Sequence, residues 1–81
     1  MPNTKKVNET NMVDYIIEFE DGELSTEDVL ELFAHLIETG TCWNLQGTYG
    51  RTAEALIDKG LISEHGVIDW DVYEELIGQH Q

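Results

Sequence analysis

From Ser25 to Gly40 the apolar residues recur with a helical period, and this segment constrains the fold more than any other. Val29, Leu30, Leu32, Phe33, Leu36 and Ile37 make a wide apolar face. Ser25 stands where an N-cap side chain is needed. Glu27 and Asp28 follow in the first turn, where negative charge meets the positive end of the helix dipole. Gly40 supplies the C-terminal stop. Glu27, Glu31, His35 and Glu38 are expected on the opposite, solvated face. A helix of this kind must bury its apolar side against other elements, so the neighbouring segments have to supply them.

Those segments are also helical in pattern. Met12, Val13, Ile16, Ile17 and Phe19 follow helical spacing after a candidate cap at Asn11, with Asp14, Glu18 and Asp21 facing away and Gly22 ending the run. Thr41 to Gly47 is expected as a short helical turn carrying Trp43 and Leu45. A third helix runs from about Thr48 to Lys59, with Tyr49, Ala53, Leu56 and Ile57 inward and Gly60 as its stop. Leu61 and Ile62 then fold back onto the core, Val67 and Ile68 form a brief extended piece, and Asp69 caps a last helix. That helix is expected to bury Trp70, Tyr73, Leu76 and Ile77.

The reading is a compact all-α bundle of three to four short helices, with at most a vestigial two-strand bridge. Residues 1–10 form a polar, flexible N-terminal arm and residues 11–79 a single acidic helical domain. The expected core is Ile16, Phe19, Leu30, Phe33, Leu36, Ile37, Trp43, Leu45, Leu56, Ile57, Trp70, Tyr73 and Leu76. With 81 residues such a core is marginal, which leaves room for a homodimer. Gly22-Glu23-Leu24-Ser25 and Gly66-Val67-Ile68-Asp69 echo each other. The echo allows a bridge between Leu24 and Ile68; two ordinary helix starts explain it as well and are favoured.

Charge excludes several functions. Seventeen acidic residues stand against four basic ones, a formal charge of −13. Nucleic acids and anionic membranes bind proteins by having their own negative charge neutralised, so neither is a partner. Lys5 and Lys6 precede no apolar stretch, and no apolar run approaches the about 18 residues of a membrane span. The lone Cys42 fits a reducing compartment. A cytoplasmic location is expected.

No constellation points to catalysis or a cofactor. Aligning Gly22 with the invariant glycine of a calcium loop puts Ile17 and Phe19 at ligand positions and Asp28 where a bidentate glutamate belongs; the Gly66 copy fares no better, with Leu61 and Val72 there. His35, His65, His80 and Cys42 include no pair at zinc-ligand spacing. Gly47-Thr48-Tyr49-Gly50-Arg51 lacks the preceding strand and the lysine of a phosphate loop. Thr52 to Ile62 has the leucine spacing of a winged helix-turn-helix recognition helix. It would offer DNA only Arg51 and Lys59, amid Glu54 and Asp58. No catalytic, cofactor or metal residues are assigned, and an enzyme is not expected.

The most distinctive stretch is Trp43-x-Leu45-Gln46-Gly47-x-Tyr49-Gly50-Arg51-Thr52-Ala53-x-x-Leu56-Ile57, preceded by Phe19-Glu20-Asp21-Gly22-Glu23-Leu24 and Leu32-Phe33. Over roughly Val13 to Ile62 it resembles a family of small uncharacterised proteins of tailed phages and prophages. The resemblance implies an accessory phage protein, neither capsid nor tail, and transfers no activity. Gly50, set in a helix start where glycine costs up to about 1 kcal/mol against alanine, suggests close packing there. Arg51 has two readings: an internal tie from the third helix to the first or second, which is favoured, or a contact for a partner.

These features support an interaction protein that occupies the basic site of a host nucleic-acid-binding protein by mimicking its phosphates. Its partner-binding residues are expected to be Asp14, Glu18, Asp21, Glu27, Glu31, Glu38, Trp43, Tyr49 and Arg51, with the carboxylates of the first two helices joining into one broad negative surface. The alternative is a structural or adaptor protein that binds through an apolar patch, its charge serving solubility only.

Overall fold

The computed structural model describes residues 7–78. The helices are α1 (Met12–Glu20), α2 (Thr26–Thr39), α3 (Gly47–Asp58) and α4 (Trp70–Gly78), with a 3₁₀ turn at Thr41–Trp43 between α2 and α3. The fold is all-α. Its only extended pairing among the described residues is an isolated antiparallel bridge between Ile62 and Ile68. Ile68 therefore pairs with the residue that leaves α3, and the echo with Gly22 marks two helix starts.

α2 is the centre of the molecule. Ser25 Oγ accepts from the Asp28 N–H at 3.2 Å, and Gly40 ends the helix with φ of 79°. Leu30, Leu32, Phe33, Ala34, Leu36 and Ile37 are all buried, so most of the circumference is covered and not one face. Phe33 meets Phe19 of α1 edge-on at 5.3 Å and stacks beside Tyr49 of α3 at 6.0 Å, while Phe19 and Tyr49 are 5.6 Å apart. Three aromatic rings thus bind three helices at one point, in the geometries aromatic pairs favour.

Tyr49 also makes the polar tie between α1 and α3: its hydroxyl donates to Glu20 Oε2 at 2.6 Å. Burial and the neighbouring Glu20 carboxylate both disfavour the phenolate, and together push the Tyr49 pKa up to about 12. Arg51 was the expected tie. Its side chain instead lies exposed over its own helix, close enough that a β-carbon at Gly47 would sit 3.4 Å from Nη1. The reason is register. Tyr49 and Ala53 take the inward positions of α3, and Arg51, two residues from each, is turned to solvent.

The N-terminal arm also departs from expectation. Val7 is 1% exposed and belongs to the core. The chain after it is wound into a turn by two asparagines: Asn8 Oδ1 accepts from the Thr10 and Asn11 N–H groups, and Asn11 Oδ1 accepts from the Asn8 N–H at 2.8 Å. Asn11 consequently gives no side-chain cap to α1. Residues 1–6 of the expected arm, and residue 79 of the expected domain, lie outside the described residues.

Beyond Gly60 the chain turns back as expected, burying Leu61 and Ile62. The 62–68 loop is closed by Ser63: its N–H donates to the Val67 carbonyl at 2.8 Å, and its Oγ accepts from the His65 and Val67 N–H groups. Gly66 at the tip is pressed against α2. A β-carbon there would lie 2.6 Å from the Ala34 carbonyl oxygen and 2.9 Å from the Glu38 nitrogen.

Asp69 caps α4, its Oδ1 accepting from Asp71 and Val72. This helix is only partly covered. Val72 and Tyr73 pack on the core, whereas Trp70, Leu76 and Ile77, expected inside, are exposed. Trp43 is likewise 50% exposed: its ring lies over Gly50, at 3.6 Å from where a β-carbon would sit. That is an ordinary contact, so Trp43 covers Gly50 without requiring glycine there.

Candidate interaction surface

Of the residues expected to meet a partner, Asp14 and Glu18 on α1, Asp21 at its C-cap, and Glu27 and Glu38 on α2 are exposed, Glu31 is half-buried, and Trp43 and Arg51 are accessible. Tyr49 is not: at 4% exposure its ring is core and its hydroxyl is committed to Glu20. The sequence period of α3 had already placed it inward.

The two acidic stripes do not merge. α1 packs on α2 through Phe33, and at about 100° per residue Phe33 lies roughly 120–160° around the axis from Glu27, Glu31 and Glu38. The α1 stripe and the α2 stripe therefore face different sides of the central helix.

The α2 stripe instead borders a cleft of about 320 Å³, in which Glu31, Ala34, His35 and Glu38 face Val7 and the His65 to Ile68 loop, with Trp70 at its edge. His35, expected as a solvated residue, is 8% exposed. It lies on the Glu31 side of α2 but is roofed by the chain on either side of the cleft. On the far side of Val67 a second, more open cleft of about 590 Å³ runs between the end of α3 and the start of α4, lined by Ile57, Ile62, Asp69 and Asp71 among others. Val67, Ile68 and Trp70 line both. The signal for this ridge in the sequence was the apolar doublet after Gly66. In extended chain adjacent side chains point oppositely, so Ile68 turns in and Val67 turns out.

Cys42 is buried, and burial raises its thiol pKa above the usual value. A protonated, inaccessible thiol is a poor nucleophile. The native protein is expected to react with Ellman's reagent orders of magnitude more slowly than the urea-unfolded chain, since labelling must await opening. Equal rates in the two states would put the thiol at the surface. No group of three or more His, Cys, Asp or Glu among the described residues is arranged to hold a metal ion. No helix among them is long and apolar enough to cross a membrane.

The molecule is thus a small all-helical domain with an acidic surface and an uncovered apolar ridge between two clefts. Residues 6–77 match the family model described as a domain of unknown function, DUF7417. The chain belongs to that family. Neither the curated proteins nor the solved structures contain a match to it.

Proposed function

We propose that this chain is a small acidic interaction protein of the phage type, acting in the host cytoplasm. In this reading it binds a basic, nucleic-acid-binding host protein and inhibits or modulates it by offering carboxylates in place of phosphates. The observation that carries the proposal is the charge imbalance, −13 over 81 residues, with Asp14, Glu18, Asp21, Glu27 and Glu38 exposed along the first two helices. A field of that sign steers a basic partner into encounter and repels the nucleic acid the partner would otherwise hold. Because the stripes face different sides, one partner surface meets one stripe.

The test is capture of partners from bacterial lysate on the tagged protein, elution by a salt gradient, and competition of each captured protein against its nucleic acid. Binding is expected to weaken steeply above about 0.1 M salt, where screening sets in at about 10 Å. Neutralising one stripe, either Asp14→Asn/Glu18→Gln/Asp21→Asn or Glu27→Gln/Glu31→Gln/Glu38→Gln, is expected to slow association and flatten the salt dependence. A partner that ignores both salt and neutralisation would refute charge mimicry. It would favour the adaptor reading, which the exposed Val13, Ile17, Val67 and Trp70 support.

A further inference from the structure

We infer that the Val67 to Trp70 ridge, with the clefts on either side of it, is the docking surface for a basic amphipathic helix of a partner protein. The inference rests on the proposed reading that the partner is basic, and adds where it docks and by what pattern.

Val67 is the most exposed large apolar residue of the described chain, at 65%. Yet it does not sit on a loose loop. The Ser63 hydrogen bonds, the Ile62–Ile68 bridge and the wedge of Gly66 against α2 hold it in place. A rigid apolar knob loses little conformational entropy on binding, which is what makes preorganised surfaces effective. Trp70, its edge fixed against Tyr73 at 5.5 Å, extends the ridge onto α4.

Charge decides what covers it. Asp69 and Asp71 line the cleft on the α4 side of the ridge, and the chain as a whole carries a formal charge of −13, so the ridge stands in a negative field. The complement is a segment with apolar residues at helical spacing and lysine or arginine beside them, the pattern of a helix laid into a groove. Nucleic acid and anionic lipid meet the same carboxylates and are repelled. A second copy would bring its own acids against these, and like charges juxtaposed at an interface are costly.

The experiment titrates the full chain at low salt with a helical leucine–lysine peptide of about four turns, and with a scrambled peptide of identical composition. Methyl and indole resonances are followed by NMR, and sedimentation velocity reports self-association. The amphipathic peptide is expected to bind more tightly than the scrambled one and to shift Val67, Ile68 and Trp70 while leaving Val13 and Ile17 in place. Val67→Asp is expected to weaken binding by about tenfold or more, as loss of an interface anchor does. The direction is diagnostic, because the added negative charge would by itself tighten a purely electrostatic complex. Val67→Ser, which changes no charge, is expected to weaken it too.

Equal binding of the two peptides with no effect of either variant would overturn the docking surface and leave the charge-based function standing. Failure of both peptides to bind would remove both. A concentration-dependent dimer abolished by Val67→Asp would assign the ridge to a second copy, and overturn the inference.

Discussion

Gly66→Ala is expected to destabilise the protein by about 2–5 kcal/mol, measured by urea unfolding. Two independent terms contribute. Gly66 has φ of 85°, in the left-handed region, where a residue with a β-carbon is strained by about 1–2 kcal/mol. The β-carbon would in addition come within 2.9 Å or less of three atoms, the Ala34 oxygen and the Glu38 nitrogen and β-carbon. Two of these are helix backbone and cannot swing aside, so overpacking adds about 1–3 kcal/mol. The molecule carries its own control. Gly60 has nearly the same backbone angle, φ of 79°, but a β-carbon there meets nothing within 4 Å. Gly60→Ala should therefore cost the backbone strain alone, and the difference between the variants isolates the contact of the ridge with α2. Equal losses at the two positions would mean that the 62–68 loop can lift off α2 freely. That result would also remove the rigidity on which the docking surface depends.

The second large effect is expected at Tyr49. Tyr49→Phe keeps the ring against Phe19 and Phe33 and deletes only the hydroxyl that donates to Glu20. Hydrogen bonds to charged groups contribute about 1.5–3 kcal/mol; because Glu20 is exposed and regains water, the low end, about 1.5 kcal/mol, is expected. The contribution has a pH signature. The folded pKa, about 12, lies above the ordinary value of 10, so the native state holds its proton more tightly than the unfolded chain. The stabilisation is thus fully present below pH 10 and is lost as pH rises through about 12. Phenylalanine does not titrate, so the stability gap between wild type and Tyr49→Phe should narrow over that window. A gap that stays constant from neutral to strongly alkaline pH would show that the hydroxyl is not held by Glu20.

Charge and apolar period were enough to anticipate the helices and the acidic surface, because both depend on neighbours along the chain. Ser25 and Gly40 bound α2 through local backbone chemistry, and the inward set of α3, Tyr49 with Ala53, follows from side-chain spacing alone. Residues whose environment comes from distant chain were not legible in this way. His35 lies on the Glu31 side of α2, yet in the folded chain it is buried and lines the cleft that Val7 and the His65 to Ile68 loop share. Val7 has no apolar neighbour to mark it. Trp43, Trp70 and Leu76 have the composition of core residues, but the core is already filled by Leu32, Cys42, Leu61 and Ile62.

The same division separates the acidic stripes from the surface they make. Each stripe is a property of one helix, set by side chains three, four or seven residues apart. Whether two stripes join depends on how one helix is rotated against the next, and that rotation was chosen by the Phe19, Phe33 and Tyr49 rings. Local pattern was sufficient for an all-helical, strongly acidic chain of three to four short helices, with stops at Gly22, Gly40 and Gly60. Tertiary packing alone decided that the stripes part company, that Tyr49 and not Arg51 ties α3 to α1, and that Val67 stands out between two clefts. Local pattern sets which side of a helix is apolar; only the competition of all such faces for one small core settles which of them stay uncovered.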